Sequence, residues 1–188
     1  MTFPRRNIRL AEENYLGERV YFLTLCCEGR RPLFRNPQTV SRLLEILTEE
    51  AERKKFSVHA YCFMPDHLHL LIEGTAAGSH LLKFVNIFKQ RSGFEHKQKT
   101  GVALWQFKYY DHILRRRENM ERIEGYIWMN PVRKGMVREP WDYPFSGSLT
   151  VPWKECPPPA DSWVPPWKKE QSGEREKAKM PEKEEMPG

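Results

Sequence analysis

Residues 56–74, FSVHAYCFMPDHLHLLIEG, decide the fold, because they contain two strand-like runs separated by only two residues. Residues 56–64 and 67–73 are rich in the branched and aromatic residues that favour strands. The intervening Pro65-Asp66 is too short for a crossover between parallel strands, so the two runs form an antiparallel hairpin. We expect this hairpin to lie at the centre of a sheet.

Two histidines share one face of the second strand of this hairpin. Side chains two apart on a strand project to the same side, so His67 and His69 point together. The apolar residues that alternate with them point to the opposite side and into the core: Leu68, Leu70 and Ile72. Two neighbouring imidazoles suit a divalent cation, and a sheet face free of helices would leave coordination positions for substrate oxygens. The alternative is a pair of solvent-facing or core histidines without a ligand.

Strand and helix patterns alternate along the rest of the chain. Apolar residues at three- and four-residue steps predict helices, and runs of branched and aromatic residues predict strands. The order β-α-β-β-α-β followed by a helix is that of a ferredoxin-like α+β sandwich, an antiparallel sheet with helices packed on one face. Around the hairpin, we expect a strand at 19–27, a helix at 39–55, a helix at 80–98, an extended segment at 103–116 and a helix at 119–130 that stops at Pro131.

The composition of the 188-residue chain fits one folded domain and a tail. Residues 151–188 hold more than half of the 15 prolines and almost no aliphatic residues, which predicts a disordered tail rich in Pro, Trp, Lys and Glu. The domain then spans 1–150. The tail carries 7 basic and 8 acidic residues, so residues 1–150 have a net charge of +7, against +6 for the whole chain. This surplus favours an anionic partner such as nucleic acid, although many basic enzymes share it.

Targeting signals and paired cysteines are both missing from the sequence. There is no apolar run of membrane-spanning length, and the first residues lack the apolar centre of a signal peptide, so we expect a cytoplasmic protein. The four cysteines form no C-x-x-C pair. We therefore expect buried thiols in a reducing compartment rather than a zinc site or a disulfide.

The segment GYIWMNPVRKG supplies a second candidate group. Tyr126 and Asn130 are four residues apart on the predicted last helix, so both can face the same neighbour. A tyrosine hydroxyl with a pKa near 10 is a poor nucleophile until a cation or base favours its deprotonation. A metal held by His67 and His69 would do so and would also polarise a phosphate. Alternatively, Tyr126 is a core aromatic residue and Asn130 ends the helix before Pro131.

Two groups of basic residues could pair with phosphates. They cover the predicted second helix and lie on both sides of the tyrosine helix. Such charges are otherwise simply solvated. The candidates for DNA contact are Lys83, Lys89, Arg91, Arg115, Arg116, Arg133 and Lys134.

Three segments occur in a fixed order: MPDHLHLLIEG (64–74), KYYDHILRR (108–116) and YIWMNPVRKGMV (126–137). Together they resemble the single-tyrosine HUH transposases of bacteria, the IS200-like transposases, and in particular their REP-associated tyrosine transposase branch. The resemblance extends over about residues 5–148. It implies a ferredoxin-like HUH endonuclease that nicks single-stranded DNA near a hairpin and uses Mg²⁺ or Mn²⁺.

The resemblance also implies roles for individual residues. His67 and His69 match the metal-binding histidines, and Tyr126 matches the nucleophile that forms a 5′-phosphotyrosine and leaves a free 3′-hydroxyl. Such a link stores the energy of the broken phosphodiester, so strand transfer needs no ATP. Asn130 falls where relatives place a third polar ligand, often glutamine. We expect structural roles for His59, Asp111 and His112.

Two functions are therefore in competition. The first is a DNA-nicking and strand-transferring enzyme. The second is a host-retained hairpin-DNA-binding protein in which the chemistry is secondary or lost. Under both, the partner is single-stranded DNA with hairpin or palindromic repeats, and the protein is nucleoid-associated and has no membrane partner. Either a monomer or a homodimer is compatible with the sequence, because in some relatives the tyrosine helix serves the active site of a partner.

Overall fold

The computed structural model describes residues 10–114 and 119–155. It contains a five-stranded antiparallel sheet in the order β4-β1-β3-β2-β5, which confirms the predicted α+β class and ferredoxin-like strand order. The strands are β1 (Val20–Cys26), β2 (Phe56–Met64), β3 (His67–Gly74), β4 (Tyr110–Ile113) and β5 (Ser146–Gly147), and the α-helices are α1 (Pro37–Lys54), α2 (Leu81–Thr100), α3 (Met120–Trp128) and α4 (Asn130–Arg133).

The hairpin of β2 and β3 lies inside the sheet, as predicted. Met64 pairs with His67 across the two-residue turn, and β3 also pairs with β1 along its length. An irregularity in the register falls between Val58 and Ala60. Because β3 has a neighbouring strand on each side, its backbone hydrogen bonds are satisfied. Its two histidines therefore have fixed positions in the sheet.

One face of the sheet is covered by α1 and α2. The alternating residues Leu68, Leu70 and Ile72 belong to the core on this face, as their period predicted. Helix α1 begins two residues earlier than expected, because Asn36 caps it by accepting a hydrogen bond from the Gln38 amide and Pro37 occupies its first turn.

The opposite face is covered by α3, so the expectation of a helix-free face is wrong. Ile123 and Ile127 of α3 form a second core with Phe22, Leu71 and other residues of the sheet. The physical reason is the amphipathic character of α3, whose apolar stripe must be buried against something. The histidines therefore face a helix rather than open solvent.

The strand expected at 103–116 is shorter, and β4 covers Tyr110–Ile113 alone within the residues described. Before it, Trp105 makes a single bridge to Cys27, and residues 106–109 form no ladder. The backbone of this segment makes one hydrogen bond to β1, from the Gln106 amide to the Cys26 carbonyl, and accepts two from the Lys89 side chain. The end of the predicted strand, 115–116, lies outside the described residues.

The tyrosine helix does not stop at Pro131 as expected. Helix α3 ends at Trp128, and α4 begins at Asn130 with Pro131 in its first turn. Proline is accepted there because the first amides of a helix have no intrahelical partner. Met129, whose backbone lies in the right-handed helical region, separates the two helices.

The segment that follows α4 returns across the face that carries α3. The Tyr143 hydroxyl donates to the Phe63 carbonyl, and the Trp128 indole donates to the Gly147 carbonyl. Trp153 packs against Trp128, with ring centroids 5.5 Å apart, and is buried. The packed chain thus continues past the predicted boundary at 150, and the rest of the predicted tail, 156–188, lies outside the described residues.

Two further expectations concern cysteines and membranes. Cys27 and Cys62 are buried free thiols and Cys26 is a half-buried one, whereas Cys156 lies outside the described residues. Within residues 10–114 and 119–155, no helix is both long and apolar enough to cross a membrane.

Candidate active site

The two histidines at the start of β3 bring their rings together on the face covered by α3. The ring centroids of His67 and His69 are 4.6 Å apart, and the two Nε2 atoms are separated by 3.1 Å. His69 is only 5% exposed, whereas His67 is half-buried. The predicted shared face is therefore present, with one imidazole nitrogen of each residue directed at the other.

The remaining nitrogen of each ring is held by a neighbouring side chain. Nδ1 of His67 lies 2.5 Å from the Asp66 carboxylate, and Nδ1 of His69 lies 2.9 Å from the Thr24 hydroxyl on β1. Arg30 donates to the second carboxylate oxygen of Asp66 at 3.3 Å. Partners of this kind fix the orientation of an imidazole and leave its other nitrogen for a ligand.

The surroundings of His67 favour its neutral form. Burial lowers the His67 pKa, the charges of Arg30 and Lys134 lower it further, and the Asp66 carboxylate opposes them. Burial alone would raise the Asp66 pKa, but the hydrogen bond and charge of His67 and the charge of Arg30 bring it below its ordinary value. His67 is therefore neutral at neutral pH, which is the form of histidine that binds metals.

This geometry fits a divalent cation. A separation of 3.1 Å between the Nε2 atoms is that of two adjacent ligands about 2.1 Å from one ion, roughly at a right angle as in octahedral coordination. The described residues contain no cluster of three or more His, Cys, Asp or Glu side chains that could hold an ion by themselves. Further ligands would have to be of another kind, such as an amide oxygen, a phosphate oxygen or water.

Tyr126 lies on α3 next to this pair and in the same chain. Its ring centroid is 6.3 Å from that of His69 and 6.2 Å from that of Phe22, and the residue is 6% exposed. The structure thus brings three of the four predicted chemical groups, His67, His69 and Tyr126, to one place. No second copy of the chain is needed to assemble them.

Arg133, predicted to contact DNA, lies against Tyr126. Its guanidinium carbon is 4.2 Å from the Tyr126 ring centroid, and the Nη2 atom donates to the Tyr126 backbone carbonyl at 2.6 Å. Burial raises the Tyr126 pKa, whereas the charge of Arg133 and its hydrogen bond to the tyrosine side chain lower it. The Tyr126 pKa remains above its ordinary value, so Arg133 positions the tyrosine and offsets part of the effect of burial.

Asn130, the predicted third ligand, is buried at the junction of α3 and α4. Its side-chain nitrogen donates to the backbone carbonyls of Tyr126 and Ile127, at 3.0 and 3.1 Å. These bonds satisfy carbonyls at the end of α3, which is the alternative role of helix terminator. They engage the amide nitrogen, so metal binding through the amide oxygen stays a prediction.

The predicted basic surface of α2 lies on the face of the sheet opposite to Tyr126. Lys89 donates to the backbone carbonyls of Gln106 and Phe107, and Arg91 pairs with Glu49 and the buried Glu50 of α1. These contacts give both residues structural roles. Lys83 is exposed on α2, and DNA contact by any of the three stays a prediction.

The other basic candidates lie nearer to the tyrosine. Lys134 is exposed, directly after α4, and its charge acts on His67. Arg115 and Arg116 lie outside the described residues. Lys134 and Arg133 are thus the predicted basic residues that the described structure places at the histidines and the tyrosine.

The residues expected to be structural make contacts of that kind. Asp111 accepts a hydrogen bond from the buried Tyr15 hydroxyl at 2.7 Å, and His59 lies 2.8 Å from Glu73. His112 lies on β4 opposite Phe22 of β1.

Sequence reasoning missed Thr24, Arg30 and Asp66, which support the histidines. Asp66 had a local signal, because it immediately precedes His67. Thr24 and Arg30 are more than 35 residues away along the chain and become neighbours of the histidines through the pairing of β1 with β3 and the turn after β1. Neither leaves a trace in the sequence around the histidines.

The sequence model of the IS200-like transposases matches residues 18–130. The chain belongs to the IS200-like transposase family. Membership makes it a transposase, one of a class of DNA-binding proteins that act in DNA transposition, and confirms the resemblance found in the sequence.

Two relatives and one solved structure extend this assignment. The REP-associated tyrosine transposase of Escherichia coli is 27% identical over 136 residues, 70% of this chain and 78% of that one. A Haemophilus influenzae protein without a named function is 26% identical over 161 residues, 68% of this chain and 88% of that one. A REP-associated tyrosine transposase solved in complex with a REP hairpin has a TM-score of 0.64 and 20% identity, with 88% of this chain and 92% of that chain covered. That likeness shows a shared fold.

Proposed function

We propose that this family member cleaves and rejoins single-stranded DNA through a covalent link to Tyr126. The main support for this proposal is that Tyr126 lies beside the converging His67 and His69 in one chain. The Tyr126 oxygen forms a bond to phosphorus while the bond from phosphorus to the 3′ oxygen breaks. The hydroxyl proton of tyrosine is lost to solvent, and the departing 3′ oxygen takes up a proton, so a 5′-phosphotyrosine and a free 3′-hydroxyl result.

The residues around Tyr126 divide the work of this step. Arg133 holds the ring and lowers the cost of its deprotonation. His67 and His69, held by Asp66 and Thr24, would bind Mg²⁺ or Mn²⁺, with Asn130 as a proposed further ligand. The cation would polarise the scissile phosphate and favour the tyrosinate. Attack of another 3′-hydroxyl on the phosphotyrosine then restores a phosphodiester, which is strand transfer.

The proposed substrate is hairpin or palindromic single-stranded DNA. Support comes from the family and from the REP hairpin held by the relative of known structure. The net charge of +6 favours a polyanion, and Lys134 and Arg133 lie at the site. We further propose that the protein is cytoplasmic and nucleoid-associated, since its substrate is located there.

A cleavage assay tests this proposal. The full-length protein is incubated with Mn²⁺ and labelled single-stranded hairpin DNA from the flanks of its own gene, and covalent adducts are detected by denaturing gel and mass spectrometry. We expect an adduct on the peptide containing Tyr126 and none with Tyr126→Phe. Tyr110→Phe is the matched control, because Tyr110 also contacts Phe22, with a centroid distance of 6.3 Å. An adduct with Tyr126→Phe, or the absence of any adduct with the wild-type protein, would refute the assignment.

Tyr126 is only 6% exposed, which favours a second function that the same proteins and DNA can test. A hairpin-DNA-binding protein with secondary or lost chemistry would bind the hairpin without exposing its tyrosine. It predicts binding that persists in His67→Ala, falls steeply with salt and yields no adduct with any divalent cation. Adduct formation by the wild-type protein excludes it.

A further inference from the structure

Phe107 is unusual among the apolar residues of the described chain because its side chain is almost wholly in solvent. It is 92% exposed, compared with 66% for Phe94 and 55% for Leu10, the next most exposed large apolar residues described. It lies in the segment between Trp105 and β4, with the exposed Lys108 next to it. Burial of this ring contributes nothing to the fold, so its presence is not explained by the core.

The backbone that carries Phe107 is held on three sides. The Gln106 amide donates to the Cys26 carbonyl at 2.9 Å, and the Lys89 ammonium donates to the carbonyls of Gln106 and Phe107 at 2.7 and 2.8 Å. Lys89 also lies 5.4 Å from the Tyr109 ring centroid. The ring of Phe107 is thus presented to solvent from a fixed backbone, and a ligand that stacks on it would not have to order a loop.

The same segment lies at the end of the sheet where the histidines stand. Gln106 is bonded to Cys26 of β1, and Cys26 pairs with His67 of β3. Adjacent strands are about 4.8 Å apart, so residue 106 lies roughly 10 Å from His67, two strand spacings away. Tyr110, which starts β4, pairs with Thr24, the residue that holds His69.

We propose that Phe107 is a base-stacking residue that holds a nucleobase of single-stranded DNA near the phosphate cleaved at Tyr126. This inference rests on the proposed function. An unpaired base offers both of its faces, whereas a base in a duplex has both covered, so an exposed ring selects the single strand. Lys108 supplies a cation beside the ring for the adjoining phosphate.

Fluorescence measurements on the full-length protein in EDTA, where no cleavage occurs, test the proposal. The probe is a fluorescein-labelled single strand with 2-aminopurine at successive positions, and both anisotropy and 2-aminopurine quenching are followed. Phe107→Ala is compared with Phe107→Trp, which keeps an aromatic face, and with Phe94→Ala, which removes an exposed phenylalanine from α2. Thermal unfolding checks that each variant is folded.

We expect Phe107→Ala to weaken binding about 5- to 100-fold and to abolish quenching at one position, with the salt dependence unchanged because no phosphate contact is lost. Phe107→Trp retains both signals, and Phe94→Ala behaves as the wild type. Lys89→Met frees the segment, so it weakens binding without a change in salt dependence. If Lys89 instead contacted a phosphate of the DNA, the slope of log affinity against log salt would fall by about one in Lys89→Met.

The outcomes separate this proposal from the proposed function. If Phe107→Ala kept the wild-type affinity and quenching, as it would if Phe107 served only to bind a protein, the stacking role would be overturned. The proposed cleavage by Tyr126 would be unaffected by that result. A Phe107 effect without any covalent adduct would support stacking and refute the cleavage reaction. No binding of single-stranded DNA by the wild type would overturn both.

Discussion

Thr24 and His69 lie opposite each other on neighbouring antiparallel strands, with the Thr24 hydroxyl 2.9 Å from Nδ1 of His69. Asp66 plays the corresponding part for His67. The two converging nitrogens are therefore supported from two directions, by the strand beside them and by the turn before them. Loss of either support should loosen the proposed metal site without unfolding the sheet.

Thr24→Val should weaken metal binding while keeping the shape and strand preference of the residue. We expect the affinity for Mn²⁺ to fall about 10- to 100-fold, because the ring of His69 is no longer held. Isothermal titration calorimetry of chelator-treated protein measures this. Thr48→Val is the control, since that hydroxyl bonds the Leu44 carbonyl within α1 on the other face. Equal affinities for Thr24→Val and wild type would contradict the supporting role.

Arg133→Met should displace the pH dependence of adduct formation to higher pH. The guanidinium lowers the Tyr126 pKa and burial raises it, so removal of the charge leaves the raising effect unopposed. At neutral pH less tyrosinate is then present, and the rate falls. The measurement is the rate of adduct formation as a function of pH, with Arg138→Met as an exposed control. A uniform loss of rate without displacement would restrict Arg133 to positioning.

A mixture of His67→Ala and Tyr126→Phe proteins should remain inactive in DNA cleavage. The structure brings His69 and Tyr126 together within one chain, so neither mutant can supply what the other lacks. Adduct formation by the mixture is compared with that of wild type at equal total concentration. Recovery of about a quarter or more of the activity would show that subunits exchange their tyrosine helices. Sedimentation analysis gives the oligomeric state independently.

The protein should lose stability above about pH 8.5, where free thiols ionise. Burial raises the pKa of Cys27 and of Cys62 to about 12. Between the two pKa values the unfolded state binds fewer protons than the folded state, so the free energy of unfolding falls as pH rises, by about 1.4 kcal/mol per thiol and pH unit. Urea unfolding at several pH values measures this slope. Cys62→Ala should make it shallower, and an unchanged slope would contradict the assignment.

Trp153→Ala should lower the free energy of unfolding by about 3 kcal/mol or more, because the buried side chain packs on Trp128. Val151→Ala, at a 41% exposed position two residues away, should change it by less than about 0.5 kcal/mol. Urea unfolding compares the two. Equal effects would show that the segment after residue 150 does not contribute to the stability of the domain.

The central hairpin could be predicted from the sequence because its signals are local. A two-residue turn allows one connection, and the period of two assigns His67 and Leu68 to opposite faces. The same reasoning placed Tyr126 on a helix. Its orientation towards the histidines followed from the resemblance and is reproduced by the packing of α3 on β2 and β3.

Contacts between distant residues could not be predicted. Lys89 and Arg91 look like a basic helix surface, but their partners, Gln106 and Glu50, become neighbours only in the folded chain. Pro131 is read as a stop, yet α3 has already ended at Trp128 and the proline lies in the first turn of α4. In both cases the sequence indicated the local property of the residue, its charge or its effect on a helix. It did not indicate which residues the fold places next to it.

The two-residue turn at Pro65-Asp66 fixes the face of the sheet to which each side chain of β3 points. Insertion of a single residue between Asp66 and His67, with the pairing of the strand ends maintained, would exchange the two faces of β3 and send both imidazoles into the core beneath α1 and α2. At the opposite end of the strand, Gly74 packs against the Gly17 backbone, where an added Cβ would lie 2.2 Å from the Gly17 carbonyl oxygen. The length of the turn therefore determines which face of β3 carries the two histidines.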